Sequence, residues 1–315
     1  MPKISAPIST SFPWETKLTP YQRFKRNPAL SLAQYLYSHR PPLSPAPPPK
    51  GQPPIKIVCI SDTHNTTPAV PDGDILLHAG DLTNNGTFTE LQAQLDWLNS
   101  LPHAHKIVIA GNHDRLLDAA FVEKHASRFP PEPGTAFVDL RWGGITYLSD
   151  SSATVSVRGR DIAVFGSPWT PECGSFAFQH LPIRDVWKGK VPAGTDVLLT
   201  HGPPLGHLDQ AGKGTEWLTR ELWRTRPRLV VFGHIHEGRG MEEVGWGYEE
   251  RVYDGVGWGE KGLGSVLGMA IVLGLFNVWF WVTRRRRIGS TTLINAAIVA
   301  GRGNLESRPA TVTEM

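Results

Sequence analysis

Six short apolar segments, each ending at glycine, histidine or aspartate, constrain the fold of this chain more than any other feature. They read IKIVCI, DILLHAG, KIVIAGN, DIAVFGS, DVLLTHG and RLVVFGH, and they begin at residue 55 and end at residue 234. Continuous apolar runs are typical of strands that are buried on both faces of a sheet. Helical patterns lie between some of them, in FTELQAQLDWLNSL, RLLDAAFVEKHASRF and GTEWLTRELWRTR. The sequence therefore predicts an α/β fold in which helices and sheets form layers.

Polar side chains that can bind a metal or carry a proton gather where these strands are predicted to end. In chain order they are Asp62, His64, Asp81, Asn112, His113, Asp114, His201, His234 and His236. In open α/β sheets the carboxyl ends of parallel strands meet at one edge, and functional groups lie there. We therefore expect these side chains to form one site.

The mixture of carboxylate, amide and imidazole groups is typical of a site for borderline transition metals such as Mn, Fe or Zn. Without His113 and Asp114, seven candidate ligands remain, which is too many for one ion that must also bind substrate. Two ions that share one carboxylate fit this number, and such pairs promote in-line displacement at phosphorus. Each fragment alone is weak, because a histidine after a strand is often structural and GNHD can form a turn. Five fragments in order favour a dinuclear site.

Composition excludes several other classes of protein. A formal net charge of +3 is too small to indicate nucleic-acid binding, and we expect no specific binding of that kind. The two cysteines exclude a disulfide framework and a CxxC zinc site. Prolines interrupt the N-terminal residues, so no signal-peptide pattern is present there. We expect a cytoplasmic protein, with membrane association left open.

As a set, D-x-H, GD-x₄-G, GNHD, a later histidine before glycine, and GHxH resemble the calcineurin-like metallophosphoesterase superfamily. The segments ISDTH, GDILLHAGD, KIVIAGNHD, GSPWTP, THGPP and GHIHEG resemble its metallophosphoesterase domain-containing (MPPED-type) branch. The resemblance covers residues 55–240. It implies a four-layer α/β/β/α sandwich with a dinuclear metal site between the sheet edges.

The resemblance also implies a role for each candidate residue. One ion would be held by Asp62, His64 and His236, the other by Asn112, His201 and His234, and both by Asp81. His113 would lie against the substrate, where it stabilises charge at phosphorus or protonates the leaving oxygen. Asp114 would orient His113, and an N-cap role for Asp114 is compatible with this. Trp169 could stack on a substrate or simply pack, and His207 could reach the substrate.

The implied function is that of a metal-dependent phosphoesterase that binds two divalent or transition metal ions. A hydroxide bridging the two ions would attack phosphorus in line. The resemblance favours phosphodiesters over other phosphate-ester small molecules, and nucleotides are among the candidates. The alternative is a catalytically silent scaffold of the same fold, or a membrane-associated binding protein. The complete ligand set favours the enzyme.

We expect four regions along the chain. Residues 1–54 form a proline-rich N-terminal extension or linker, because RPPLSPAPPPKGQPP favours a polyproline-II spacer. Residues 55–240 form the catalytic core, and residues 241–287 form a hydrophobic insertion or membrane segment. Residues 288–315 contain two predicted strands that would close the catalytic domain.

The segment GLGSVLGMAIVLGLFNVWFWVT, residues 262–283, carries no charge and is followed by Arg284 to Arg287. Its length and flank are those of a transmembrane helix. A span would, however, separate the two C-terminal strands from the catalytic core across the bilayer. We therefore favour an insertion, in which residues 262–287 could contact a membrane rich in anionic lipid through Trp279 and Trp281.

Overall fold

The strands predicted from the apolar segments are present, and they lie in two sheets. The structure is a computed structural model that describes residues 18–48, 51–127, 133–210, 212–289, 291–300 and 306–315. The strands are β1 (Lys56–Ile60), β2 (Ile75–His78), β3 (His105–Ile109), β4 (Ile145–Leu148), β5 (Ser151–Val157), β6 (Arg160–Ser167), β7 (Thr170–Pro171), β8 (Gln179–His180), β9 (Val197–Thr200), β10 (Leu229–Phe232), β11 (Gly240–Val244), β12 (Thr291–Asn295), β13 (Val299–Ala300), β14 (Glu306–Ser307) and β15 (Thr311–Glu314).

Helices flank these sheets and also form a cluster of their own. The α-helices are α1 (Pro20–Arg26), α2 (Pro28–Ser38), α3 (Phe88–Ser100), α4 (Ala119–Lys124), α5 (Glu216–Thr225), α6 (Tyr248–Gly257) and α7 (Leu263–Thr283). Helix α3 begins at a capping box, in which Thr87 and Glu90 satisfy each other's backbone N–H groups. The pattern RLLDAAFVEKHASRF gives a 3₁₀ turn and the short helix α4 within its described residues.

Each sheet has a parallel centre. The first has the order β15-β1-β2-β3-β4, and β15 alone pairs antiparallel, on β1. The second has the order β11-β12-β10-β9-β6-β5, with antiparallel pairs at its two ends. Since the central strands of each sheet are parallel, their carboxyl ends lie at one edge, where β1, β2, β3, β9 and β10 end.

Three apolar clusters establish the order of the layers. Between the sheets, side chains such as Ile57 and Ile107 meet Val164 and Val231. The outer face of the first sheet packs on α3, and that of the second packs on α5. Alternate residues of each central strand thus enter opposite cores, as expected for strands buried on both faces. The four-layer α/β/β/α sandwich predicted from the sequence is confirmed.

The chain leaves the sandwich after β11 and returns to it at β12. Helices α6 and α7 lie between these strands, and β12 then enters the second sheet between β10 and β11. Strand β15 joins the edge of the first sheet. The apolar helix therefore belongs to an insertion near the C-terminus. The four region boundaries stay a prediction.

Part of the expected extension lies against this insertion. Helix α2 buries Ala33 and Tyr37 against α6 and α7 in a fourth apolar cluster. Further along, Ser44 exchanges backbone hydrogen bonds with Arg287 and Gly289. Residues 1–17, 49 and 50 of the extension lie outside the described residues. Residues 28–48 are thus packed on the domain. A polyproline-II spacer would make few such contacts.

Candidate metal centre

Four of the expected ligand residues follow strand ends and have an unusual backbone conformation. Asp62, His64, Asp81 and His234 have positive φ angles of 54°, 45°, 55° and 66°. Residues with a Cβ seldom adopt this left-handed conformation, which costs free energy. Such strain clusters where a fold must aim side chains at one point. The strained backbone of these four residues therefore indicates a functional site at the sheet edge.

Two glycines allow the carboxylates to lie directly against the backbone. A Cβ at Gly111 would come within 2.2 Å of Asp81 Oδ1, and one at Gly233 would come within 2.0 Å of Asp62 Oδ2. Non-bonded heavy atoms do not approach so closely, so any side chain at these positions would displace a carboxylate. The glycines in GNHD and GHxH are therefore required by close approach.

The first group of ligand atoms consists of Asp62, His64 and His236. Their ligand atoms all lie within 4.8 Å of one another. His236 Nε2 lies 3.2 Å from Asp62 Oδ1. The three residues come from two loops that are far apart in sequence, and Arg308 holds the second loop by donating to the carbonyl of His236. This group has the size and donor types of a site for one divalent ion.

The second group consists of Asp81, His201 and His234, again within 4.8 Å. His201 Nε2 lies 3.4 Å from Asp81 Oδ1 and 3.1 Å from Asn112 Oδ1. The other carboxylate oxygen of Asp81 lies 3.7 Å from His64 Nε2, in the first group. Asp81 therefore lies between the two groups, one oxygen toward each.

Hydrogen bonds fix two of the imidazole rings. His201 Nδ1 lies 2.8 Å from the carbonyl of Ala79, and His64 Nδ1 lies 3.2 Å from the carbonyl of Thr83. A carbonyl can only accept, so each Nδ1 carries the proton and Nε2 is left as the ligand atom. Metal-binding histidines are commonly oriented in this way.

The buried carboxylates retain negative charge in this site. Burial would raise the pKa of Asp62, but the hydrogen bond and charge of His236 outweigh it and lower the pKa to about 2. Burial acts likewise on Asp81, and His201 lowers its pKa well below the usual range. Burial disfavours the charged form of His201, yet the Asp81 carboxylate raises its pKa to about 9. Histidines supply positive charge beside these carboxylates, and a pair of divalent ions can supply it as well. The donor set fits such a pair.

His113 lies at the entrance of the site. Its Nδ1 lies 2.7 Å from the carbonyl of Asn84, and its ring meets those of His64 and Phe176 at centroid distances of 4.9 and 4.8 Å. Its backbone N–H donates to Asp81 Oδ1. Its ligand atom also lies within 4.8 Å of those of His64 and Asp81. The ring can therefore contact a molecule bound beside the carboxylates.

We expected Asp114 to orient the His113 ring, but its carboxylate has other partners. Its carboxylate accepts hydrogen bonds from the backbone N–H groups of Gly111, Leu82 and Thr83 and from the hydroxyl of Thr83. No N-cap bond to the following 3₁₀ turn is made. Burial and the nearby Asp81 raise the pKa of Asp114 to about 6. Asp114 ties two ligand-bearing loops together, and the carbonyl of Asn84 orients His113.

A cleft of about 240 Å³ opens onto the two groups. Besides expected site residues it is lined by Cys173 and Phe176, which sequence reasoning missed. They lie in an irregular segment between β7 and β8, where no periodicity marks an inward side chain. Trp169, in contrast, donates from Nε1 to Asp150 and packs on the core, so its packing interpretation is the correct one.

His207 does not line the cleft. It is buried among acidic side chains of β11 and α6, with Nδ1 3.3 Å from Glu242 and Nε2 3.1 Å from Asp254. With Glu250 and Asp254 it forms another group whose ligand atoms lie within 4.8 Å. Both ring nitrogens already lie beside carboxylates, so a protonated imidazole satisfies this group without an ion.

Comparison with known proteins gives a family model that matches residues 55–238, described as calcineurin-like phosphoesterase. The matched residues include every candidate ligand. The match covers more than half of the chain.

Three relatives illustrate the similarity. Probable rhamnogalacturonate lyase C of Emericella nidulans is 42% identical over 297 residues, which is 92% of this chain and 27% of that protein. Metallophosphoesterase domain-containing protein 1 of Homo sapiens is 40% identical over 218 residues, 62% of this chain and 64% of that protein. A UPF0046 protein of Caenorhabditis elegans is 39% identical over 208 residues, 62% of this chain and 68% of that protein. The chain thus spans less than two thirds of the first two relatives.

Proposed function

The chain belongs to the calcineurin-like phosphoesterase family, and from this premise we propose that it is a dinuclear metal-dependent phosphohydrolase that prefers phosphodiesters. One observation carries the proposal. Asp81 directs one carboxylate oxygen toward each of two groups of ligand atoms. A carboxylate so placed serves as the shared ligand that a two-ion site requires.

The chain's own residues would hold two ions. Mn, Fe or Zn would suit their donors. The first ion would be held by Asp62, His64 and His236, the second by Asn112, His201 and His234, and both by Asp81. When bound, such a pair lowers the pKa of water and neutralises charge on phosphoryl oxygens. Gly111 and Gly233 keep the carboxylates in position, and Asp114 fixes the loops that carry Asp81 and Asn112.

His113 would act on the substrate. Its Nδ1 donates to the carbonyl of Asn84, which leaves Nε2 as the atom that can exchange a proton with bound substrate. A charged imidazole there would stabilise negative charge at phosphorus or protonate the leaving oxygen. Its contact with Phe176 holds the ring at the entrance of the cleft.

The cleft favours a small reacting group. A volume of about 240 Å³ lies below the range of about 300–1,000 Å³ that is common for small-molecule pockets. A phosphoryl group fits inside, whereas the organic part of an ester would lie toward the entrance. Phe176 offers an aromatic wall there, which suits a leaving group that carries a planar ring, such as a nucleoside or an aryl alcohol.

The experiment that tests this function is hydrolysis of bis(para-nitrophenyl) phosphate by the full chain in Mn²⁺. The variant Asp81→Asn removes the shared charge, and Asp254→Asn makes the same exchange at a buried carboxylate outside the cleft. We expect wild type and Asp254→Asn to be active and Asp81→Asn to lose at least about a hundredfold in kcat/KM. Elemental analysis should find two ions per chain in the wild type and in Asp254→Asn, and fewer in Asp81→Asn.

The corresponding monoester, para-nitrophenyl phosphate, tests the preference. Faster hydrolysis of the diester would support the proposed class, and faster hydrolysis of the monoester would replace it. An inactive wild type with fewer than two bound ions would indicate the catalytically silent scaffold instead.

A further inference from the structure

Helix α7 exposes far more apolar surface than a helix of a water-soluble domain. It has 21 residues; its most apolar stretch of 18 residues has a mean hydropathy of 2.0, and only 17% of that stretch is buried. One stripe, formed by Val266, Met269 and Leu273, packs against α2 and α6. A helix that packs on one side normally carries polar residues on the other. This helix does not.

The uncovered face continues to the end of the helix. Large apolar side chains with 61–68% of their surface exposed are Leu267, Ile271, Leu275, Val278, Trp281 and Val282. Contiguous exposed apolar patches of this kind mark surfaces that bind another phase or another molecule. The face therefore needs an occupant.

The path of the chain after α7 limits what that occupant can be. Arg287 lies back beside the helix, with its guanidinium 3.7 Å from the centre of the Phe276 ring and 2.7 Å from the Glu249 carboxylate. The chain then pairs with Ser44 and enters the second sheet at β12. Both flanks of α7 are thus attached to the same domain. A transmembrane helix would need its ends on opposite sides of about 30 Å of hydrocarbon.

The C-terminal end of α7 together with Arg284 to Arg286, here called the tip, has the composition of a membrane interface. Trp279 and Trp281 are exposed, and Arg284, Arg285 and Arg286 follow them, also exposed. Tryptophan is enriched at the boundary between headgroups and acyl chains. Clustered arginines attract anionic headgroups near the membrane surface. A protein partner would not need aromatic and cationic residues in this order along one helix end.

We propose that α7 and the arginines after it anchor this protein to the surface of an anionic lipid bilayer without crossing it. The apolar tip enters the boundary between headgroups and acyl chains, and the arginines stay among the headgroups. The catalytic sandwich remains in water on that same side. This inference is independent of the proposed hydrolysis.

Flotation of the full chain with lipid vesicles tests the anchor. One set contains only phosphatidylcholine, and the other contains about a quarter phosphatidylserine. We expect strong binding to the anionic set, and release by alkaline carbonate, which does not extract a spanning helix. The double variant Trp281→Glu/Val282→Glu should bind about a hundredfold more weakly, because two apolar side chains are lost. The control Val138→Glu/Ile183→Glu alters apolar residues elsewhere that are at least as exposed, and it should bind like wild type.

Charge is tested separately. Arg285→Ala/Arg286→Ala should lower the partition coefficient about thirtyfold, whereas Arg184→Ala/Lys188→Ala removes two exposed charges elsewhere and should not. Absence of binding to anionic vesicles would overturn the proposal. So would resistance to carbonate, which would indicate a span. Self-association of the soluble chain that the tip variants abolish would assign the face to a second copy instead.

Discussion

At the scale of single residues, His113 shows how the backbone places a side chain that we propose acts on the substrate. The sequence predicts a carboxylate partner at Asp114, the next residue. The structure gives the ring a carbonyl partner, Asn84, and uses Asp114 to bind the N–H groups of Leu82 and Thr83. A neighbour in sequence cannot easily reach the preceding ring when the chain turns between them. His113 is therefore held by the loop that also carries Asp81.

Substitution of His113 separates its role from that of the ligands. We expect His113→Gln to lower kcat by about 10²–10⁴, the usual contribution of a general acid or charge-stabilising group. Its content of bound metal should stay that of wild type, measured by elemental analysis. His125→Gln makes the same exchange outside the cleft and should leave kcat unchanged. Loss of an ion in His113→Gln would instead make His113 a ligand.

At the scale of elements, a buried ionic network joins the N-terminal segment to the domain. Tyr37 and Arg40 of that segment contact both Glu242 of β11 and Glu250 of α6. His207 approaches the same carboxylates from the loop that follows His201. Burial raises the pKa of Glu250 to about 7, and the Tyr37 hydroxyl donates a hydrogen bond to this carboxyl group. Residues from four elements are thus fixed by one network, and breaking one charge would leave another unpaired.

The network predicts a pH-dependent stability. Burial would raise the pKa of Glu242, but His207 and Arg40 lower it from 4.5 to about 2. This carboxylate therefore stabilises the fold fully above pH 4.5, and the stabilisation is lost as the pH falls toward 2. Burial lowers the pKa of His207, but Glu242 and Asp254 raise it well above 6.5, so its contribution is complete below pH 6.5 and is lost at higher pH.

We therefore expect His207→Gln to cost about 3 kcal/mol of unfolding free energy at about pH 6. The difference from wild type should shrink as the pH falls from 4.5 toward 2, because Glu242 loses its stabilising charge over that range. Denaturant unfolding at a series of pH values measures both effects, with His125→Gln as the control. A cost that does not vary with pH would mean that His207 acts by packing alone.

The docking of α2 makes a second prediction at this scale. Ala33 is fully buried against α6 and α7, whereas its neighbour Leu32 is 38% exposed. We expect Ala33→Glu to lower the unfolding free energy by about 3 kcal/mol, because it buries a charge without a partner. Leu32→Glu should change it by less than about 0.5 kcal/mol. Equal effects of the two substitutions in thermal unfolding would show that α2 is not held in this position.

At the scale of the whole molecule, two sheets bring loops from distant parts of the chain to one edge. The candidate ligands span residues 62–236, and the carboxylates of Asp62 and Asp81 are buried at this edge. Ions that bind only the folded arrangement would stabilise the entire sandwich, since all the loops must be in place at once.

Removal of metal tests this coupling. Chelation should abolish hydrolysis, and added Mn²⁺ should restore it. Chelation should also lower the unfolding free energy by about 3 kcal/mol, the value for an ion present at about one hundred times its Kd. Asp81→Asn should respond much less to the chelator. A wild type whose melting temperature is the same with and without chelator would contradict a resident metal pair.

The sequence by itself determined the strands that its apolar segments form, the layered fold class, and a set of polar residues that the structure brings together at one edge. These follow from local chemistry, because apolar runs specify buried strands, and parallel strands bring the residues after them to one edge. The roles of those residues stay a prediction. The motif glycines are also readable in sequence, and close approach to Asp62 and Asp81 explains them.

Only the tertiary structure decided how those pieces are supported. The partner of His113, the aromatic wall at Phe176, the network around His207 and the docking of α2 all depend on contacts between distant segments. The return of the chain along α7 is of the same kind, since hydropathy alone describes a spanning helix and an interfacial one equally well. The side chains at such contacts depend on the surface against which they pack. That surface is formed by distant parts of the chain, so no local sequence pattern predicts it.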